Sequence, residues 1–388
     1  MLCSELMCAA IAAGVTGELR PEPAPVYVMM TTHFDHPWSI STADLESFGQ
    51  LSILHPEMKW THLFNPVAYT QSTPLLPQIE DYLVEARDVY GAEIGLHLHM
   101  FKSYVEAAGV EFHDAPSFNG SPPGCGSDAS GYAVPMTSYS PTQMHAMLHS
   151  AIEIFALHDW NRPRTFCAGY YAADPRLQAA LADLGFTASA AAFPPGTEYG
   201  AQYGPCWYIH SGWGDGWVTH TSRPYLVSRR SIMPHAPPPY LLTGHGPLIE
   251  IPQVCKIDWM VSAADMQEVF LLHYNLAATG RPTAVCLAVH DTHGDTDFGK
   301  FHAVLNFIDG YMESGEVPVV YATASEIRRA FLPLLIPPGD VDGDGLIDVV
   351  DLLAVLAAWG PCHGCPEDLN HDAVVDVLDL LIILAHWS

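Results

Sequence analysis

Asp340-Val-Asp342-Gly-Asp344-Gly345-Leu346-Ile-Asp348-Val-Val-Asp351 sets carboxylates at positions one, three, five, nine and twelve of a twelve-residue stretch, with glycine at the sixth. This is the spacing at which a calcium loop places its oxygens: the seventh residue, Leu346, offers its backbone carbonyl, and glycine makes the sharp turn. The pattern returns 28 residues later as Asp368, Asn370, Asp372, Val374, Asp376 and Asp379. Each copy runs into an apolar helix-like segment, Leu352-Leu-Ala-Val-Leu-Ala-Ala-Trp359 and Leu380-Leu-Ile-Ile-Leu-Ala-His-Trp387, so the closing tryptophans are in register too. A duplication of this kind predicts two paired loop–helix units binding two calcium ions. No Lys or Arg follows Arg329, so the clustered carboxylates repel one another unless a cation joins them. In the second copy Ala373 replaces the sixth-position glycine and His371 the usual small fourth residue, which predicts weaker binding.

This pair resembles the type I dockerin module over residues 339–388. The resemblance implies a small all-α calcium-binding domain whose partner is a cohesin-type scaffold protein. Asp351 and Asp379 hold the twelfth positions, as in dockerins, instead of the bidentate Glu of ordinary calcium hands. Between the repeats stand Cys362 and Cys365, with His363 and His371 nearby. A local disulfide or two free thiols is the expected state, with zinc as the alternative. Upstream, the proline-rich residues 333–338 read as a short linker.

Residues 25–332 have the size of one barrel-type domain, in a 388-residue chain that is 49% hydrophobic. The formal charge of −28 excludes nucleic acid and anionic membrane as partners, since both repel it. No apolar run reaches the length of a membrane span. Residues 1–24 look like a clipped signal peptide, and export to the cell surface or medium is the expectation. Short apolar runs alternate with helical stretches: Val26-Tyr-Val-Met-Met30, Ile94-Gly-Leu-His-Leu98, Arg164-Thr-Phe-Cys167, Leu248-Ile-Glu-Ile251, Ala284-Val-Cys-Leu-Ala-Val289 and Val317-Pro-Val-Val320, with helices at 142–157 and 175–184. That order predicts a parallel α/β barrel or open sheet with its chemistry at the carboxyl ends of the strands.

Those ends are polar. The first closes with His33-Phe-Asp35-His36, where the period of two sets His33 and Asp35 on one face. Another reads Glu93-Ile-Gly-Leu-His97-Leu-His99, with both imidazoles on one face, and a late strand ends Leu287-Ala-Val-His290-Asp291-Thr-His293. Two His and an Asp converging from separate strand ends suit a zinc or similar divalent ion with a position left for water.

With Phe166-Cys167-Ala-Gly169-Tyr170 and Asp174, these segments resemble the polysaccharide deacetylase (NodB-homology) superfamily over about residues 26–331. The resemblance implies a distorted (β/α) barrel acting as a hydrolase that removes N- or O-acetyl groups from a polysaccharide. It implies Asp35, His97 and His99 as metal ligands, His33 as fourth ligand or base, Asp35 as ligand or base, and His290 as the acid. Asp174, Asp291 and His293 would support them. Two departures stand out: the adjacent Asp-Asp pair is missing from the first strand, and Cys167 stands where the family has an Arg that orients the catalytic carboxylate. A zinc-dependent glycosidase of the α-mannosidase type and a non-catalytic carbohydrate-binding barrel are the alternatives. Tyr170, Trp213 and Trp217 are candidate sugar-stacking residues, the last two from the aromatic stretch 206–217, which could equally seal the barrel mouth. Residues 118–135, rich in Gly, Ser and Pro, predict a loop over the site.

Overall fold

A computed structural model describes residues 21–118, 125–194, 217–362 and 364–387. At its centre is β1 (Val26–His33), buried almost throughout and rich in Val, Met and Thr, as a parallel strand covered on both faces must be. It is followed by β2 (Trp60–Phe64), β3 (Glu93–Leu98), β4 (Thr165–Ala168), β5 (Ala188–Ser189), β6 (Tyr225–Leu226), the hairpin β7 (Leu242–Thr243) and β8 (Gly246–Pro247), then β9 (Ile249–Glu250), β10 (Thr283–His290) and β11 (Val319–Tyr321). The main sheet runs β10-β1-β2-β3-β4-β5-β9-β6, with β11 also on β1. Every pairing is parallel except β6 with β9. Among the described residues no ladder joins β6 to β10; the single bridge Ile257 to Ala288 is what approaches β10 from that side. The sheet is thus an α/β sheet left open by its ladders.

Helices connect the strands, and their starts are written in the sequence. Ser41 caps Thr42–Leu54 in a reciprocal box with Asp44, Ser140 does so with Gln143 ahead of Pro141–Leu157, and Ser262 with Asp265 ahead of Ala263–Ala277. Asp174, expected beside the site, caps Pro175–Asp183 by accepting the Leu177 N–H and pairs with Arg176 at 2.6 Å. Its role is structural. The helix Ala324–Leu335 runs through Pro333, where a linker was expected to begin. Ile327 and Phe331 bury its apolar face, and the Ile336 N–H still reaches the Leu332 carbonyl at 3.1 Å, so packing holds the last turn past a proline that lacks its own N–H. Only residues 336–339 separate this helix from the first loop.

The C-terminal repeats fold as two loop–helix units, Val349–Ala357 and Val377–Ala385, packed over Ile347, Val355, Val375 and Ile383. They are not purely helical, because β12 (Gly360–Pro361) pairs with β13 (Val374–Val375) between them. Cys362 and Cys365 form a disulfide. The first loop leans on the sheet domain: the Tyr240 N–H donates to the Asp344 carbonyl at 2.7 Å. Gly345, at φ +89°, meets the Tyr240 ring so closely that a Cβ there would stand 2.3 Å from it.

Candidate metal centre

His33 and His290 are register partners at the carboxyl ends of β1 and β10, and His97 pairs with Cys167 between β3 and β4. Strands β10, β1, β3 and β4 therefore deliver residues from their carboxyl ends to one point, with Asp35 and His99 just beyond. Asp35 is 4% exposed. Its Oδ1 lies 2.8 Å from His97 Nε2, and its Oδ2 lies 3.2 Å from His99 Nε2 and 3.6 Å from His290 Nε2. Tyr132 donates its hydroxyl to Oδ2 at 2.9 Å.

The far sides of the three imidazoles fix their protons. His97 Nδ1 faces the Cys167 carbonyl at 2.9 Å, His99 Nδ1 the Tyr132 carbonyl at 2.8 Å, and His290 Nδ1 the Asp258 carboxylate at 2.8 Å. Carbonyl and carboxylate oxygens only accept, so each Nδ1 carries the hydrogen. In a neutral ring the Nε2 lone pair then faces Asp35, which also offers only lone pairs. Burial lowers the pKa of His97 despite its bond to Asp35, which favours the neutral ring. For Asp35, burial works toward protonation, but the surrounding imidazoles outweigh it and hold the pKa well below the usual range. His290, whose pKa is raised, brings a proton toward Oδ2, whereas the neutral His97 faces Asp35 lone pair to lone pair, a contact that a bound cation would relieve. Metal-ligating histidines usually donate their other ring N–H to a carbonyl or carboxylate, as His97, His99 and His290 do here. Asp35, His97 and His99 present ligand atoms within 4.8 Å of one another. The donor set fits a divalent metal of the zinc type.

His33 is 2% exposed, and its Nε2 is buried without a hydrogen-bond partner. Its ring centre is 5.0 Å from that of His97 and 6.3 Å from that of His290. Burial, reinforced by His97, lowers its pKa well below the ordinary value, so it too is neutral. Cys167 is buried beside His33 and His97. Burial, then the nearby Glu250, pushes its thiol pKa well up, and the thiol donates to the Ala190 carbonyl at 3.2 Å. A protonated thiol cannot orient a carboxylate as a guanidinium would. Here Tyr132 and the imidazoles hold Asp35.

Asp258 and Tyr132 were not foreseen. Asp258 is fully buried and accepts the His290 backbone N–H at 2.9 Å and His293 Nδ1–H at 2.8 Å besides His290 Nδ1–H. Burial would lower the His290 pKa, but the charges of Asp258 and Asp35 raise it to about 9. A lone Asp in Cys255-Lys-Ile-Asp258-Trp-Met was the available signal; nothing marked Tyr132 within its loop. Asp291, expected as a support, accepts the His36 N–H at 3.2 Å.

Gly169 lets β4 turn against His99, since a Cβ there would stand 2.7 Å from Nδ1. Tyr170 and Tyr171 follow with φ of +55° and +56°, an uncommon conformation for such side chains. Tyr170 is buried, its ring 5.5 Å from His99. Trp217 is also buried and donates its indole N–H to Tyr225 at 2.9 Å, so it packs the core and shows no open face to a sugar. Trp213 lies outside the described residues.

In the tail, the carboxylates of Asp340, Asp342 and Asp351 gather within 4.8 Å. The second loop shows no such triad among the described residues, because Asn370 stands where the first has Asp342. Otherwise the loops match. Asp340 Oδ2 accepts the Gly345 N–H and Asp368 Oδ2 the Ala373 N–H; Asp351 accepts from Val341 and Asp342, and Asp379 from Leu369 and Asn370. Asp348 and Asp376 cap the two helices. Asp344 and Asp372 each accept the N–H two residues on, from Leu346 and Val374. Burial, with Asp351 and Asp342 adding to it, pushes the Asp340 pKa up to about 7 against the hydrogen bonds from Gly345 and Gly343.

No family model matches this chain, and no curated protein does. Among solved structures, one from Mycobacterium smegmatis, itself only provisionally assigned as a polysaccharide deacetylase, is 12% identical with a TM-score of 0.48 over 82% of this chain and 94% of that one. The allantoinase Puue is 12% identical, with a TM-score of 0.46 over 82% and 95%. A 4-alpha-glucanotransferase from Thermococcus litoralis is 10% identical, with a TM-score of 0.44 over 80% of this chain and 41% of that.

Proposed function

We propose that this chain is an exported, metal-dependent carbohydrate deacetylase, a hydrolase that removes N- or O-acetyl groups from a polysaccharide. The observation that carries the reading is the convergence of three Nδ1-pinned imidazoles on the Asp35 carboxylate at the carboxyl end of the sheet. Asp35, His97 and His99 would hold the ion. When bound, it supplies a Lewis acid for the acetyl carbonyl and a water that ionises near neutral pH. His290 serves as the acid: Asp258 holds its Nδ1 proton, and its Nε2 faces the site to give a proton to the departing amine or alcohol. His33, with Nε2 buried and unpartnered, is placed to take the proton of the attacking water or to add a fourth ligand. Tyr132 keeps the Asp35 carboxylate from rotating.

The tail adds a tether. Two loops in 28-residue register support two calcium ions, held by Asp340, Asp342, Asp344, Asp348 and Asp351 with the Leu346 carbonyl, and by the corresponding residues of the second loop. Such a dockerin-like module would join a cohesin-type scaffold. The Cys362–Cys365 disulfide, and a further disulfide at Cys125, support an oxidising, extracellular setting. Acetate and reducing-sugar release from acetylated glycans, each run with and without chelator, test the proposal. Chelator-sensitive acetate release is expected. Free sugar instead of acetate would replace the reading with a glycosidase, and binding without either product would make the domain a carbohydrate-binding barrel.

A further inference from the structure

The rings around the metal centre continue outward. Tyr132 stacks on His99 with centroids 4.3 Å apart, Phe101 stacks on Tyr132 at 5.6 Å, and Trp38 meets Phe101 edge-on at 4.9 Å. His36 ties the row together, 5.3 Å from Trp38 and 4.4 Å from Tyr132. Beyond lies a cleft of about 660 Å³ whose lining includes Trp38, Phe101, Gln71, Lys102, Ser103, Glu106 and Ser130. The loops that build it are those that build the centre. Trp38 comes three residues after Asp35, Phe101 two after His99, and Ser130 two before Tyr132. A molecule reacting at Asp35 therefore has this cleft as its neighbour.

The lining fixes the chemistry of the occupant. Phe101 is 5% exposed and serves as backing, whereas Trp38 is half-buried and lines the cleft. Facing it are hydroxyls and an amide: Ser103 donates to Gln71 Oε1 at 3.4 Å and receives the Thr70 hydroxyl at 3.2 Å, which holds Gln71 at the cleft wall. One aromatic face among small polar groups suits a ring with C–H bonds on one side and hydroxyls on its rim, because those C–H bonds meet the negative face of the indole. A hydrocarbon chain would leave the polar groups unanswered. Charge narrows the class further. Lys102 is matched by Glu106 at 3.8 Å, so the cleft offers an anion no unpaired cation, and the chain's −28 repels a polyanion.

We infer that the Trp38 cleft is a subsite for a neutral pyranose ring of the glycan, next to the ring whose substituent reacts. The inference rests on the carbohydrate reading above but not on the reaction. The test is calorimetric titration of the purified full-length chain with chitotetraose, xylotetraose and tetragalacturonate, using wild type, Trp38→Ala, Trp38→Phe and Gln71→Ala. Wild type is expected to bind a neutral tetramer. Trp38→Ala should weaken it about tenfold or more, Trp38→Phe less, and Gln71→Ala severalfold, all with metal content intact. Gln71 is only half-buried, so its variant keeps the test open if Trp38→Ala does not fold. Neutral tetramers that fail to bind wild type, or bind every variant equally, overturn the subsite; so does a preference for tetragalacturonate. Acetate assays on the same proteins separate the two claims. Trp38-dependent binding without acetate release would sink the deacetylase and leave the subsite standing. Acetate release with binding indifferent to Trp38 would do the reverse.

Discussion

Replacing Glu250 with Gln should change how the stability of this protein depends on pH. Glu250 ends β9, is 1% exposed, and accepts the Ala192 N–H at 2.7 Å, with Gln178 Nε2 3.3 Å away. Burial raises its pKa from 4.5 to about 7, against the hydrogen bonds from Ser189 and Ala192 that pull it down. Gln178 Oε1 is itself buried without a partner, so turning that amide over would let a protonated Glu250 donate to it. The unfolded chain loses this proton near pH 4.5 and the folded chain only near 7. Between those values the folded state binds more protons, so stability falls as pH rises through the window and stays lower above it. A shift from 4.5 to about 7 corresponds to roughly 3 kcal/mol. Glu250→Gln cannot ionise and keeps an acceptor for Ala192. Urea unfolding of both proteins at pH 5 and pH 8, followed by near-ultraviolet circular dichroism, should show the variant gaining roughly 2.5 kcal/mol on wild type between the two, since part of the full effect is already lost at pH 5. Other titrating groups, Asp291 among them, cancel in that difference. Parallel pH profiles would refute the reading of Glu250 as a buried neutral acid.

Ala373 holds φ +70° where the first loop has Gly345, and a non-glycine residue there costs about 1 kcal/mol. Ala373→Gly should therefore tighten calcium at the second loop about fivefold by calorimetry, and unchanged affinity would contradict the loop assignment. Asp258→Asn removes the charge that orients His290 and should cut acetate release about 10²–10⁴-fold with metal retained. Loss of the metal along with activity would make Asp258 a support of the metal ligands and not the residue that positions an acid.

Strong periodic signals were legible in the sequence, and long-range partners were not. The apolar runs at β1, β3 and β10 stood out because these parallel strands are buried on both faces. In contrast, β2 was missed, since Thr61 and His62 break its apolar run; both are buried, with His62 Nδ1 3.2 Å from the Thr32 hydroxyl and Nε2 3.1 Å from that of Tyr82. Two-residue strands such as β5 and β6 carry no period to read. At the site, the His-x-Asp and His-x-His spacings drew attention to His33, Asp35, His97 and His99, which the structure brings together with His290. Asp258 reaches His290 across 32 residues and Tyr132 reaches Asp35 across 97, separations over which local pattern carries no information. The 28-residue repeat survives in the structure down to matching hydrogen bonds, because each loop must satisfy the same backbone donors.

Whether a metal sits among these imidazoles is decided by elemental analysis of the purified protein in wild type, Asp35→Ala and His97→Ala. The Nδ1-pinned rings around Asp35 predict about one transition metal per wild-type chain, lost in both variants while circular dichroism shows the fold retained. A folded wild-type protein that holds no stoichiometric transition metal, even after incubation with zinc, would contradict it.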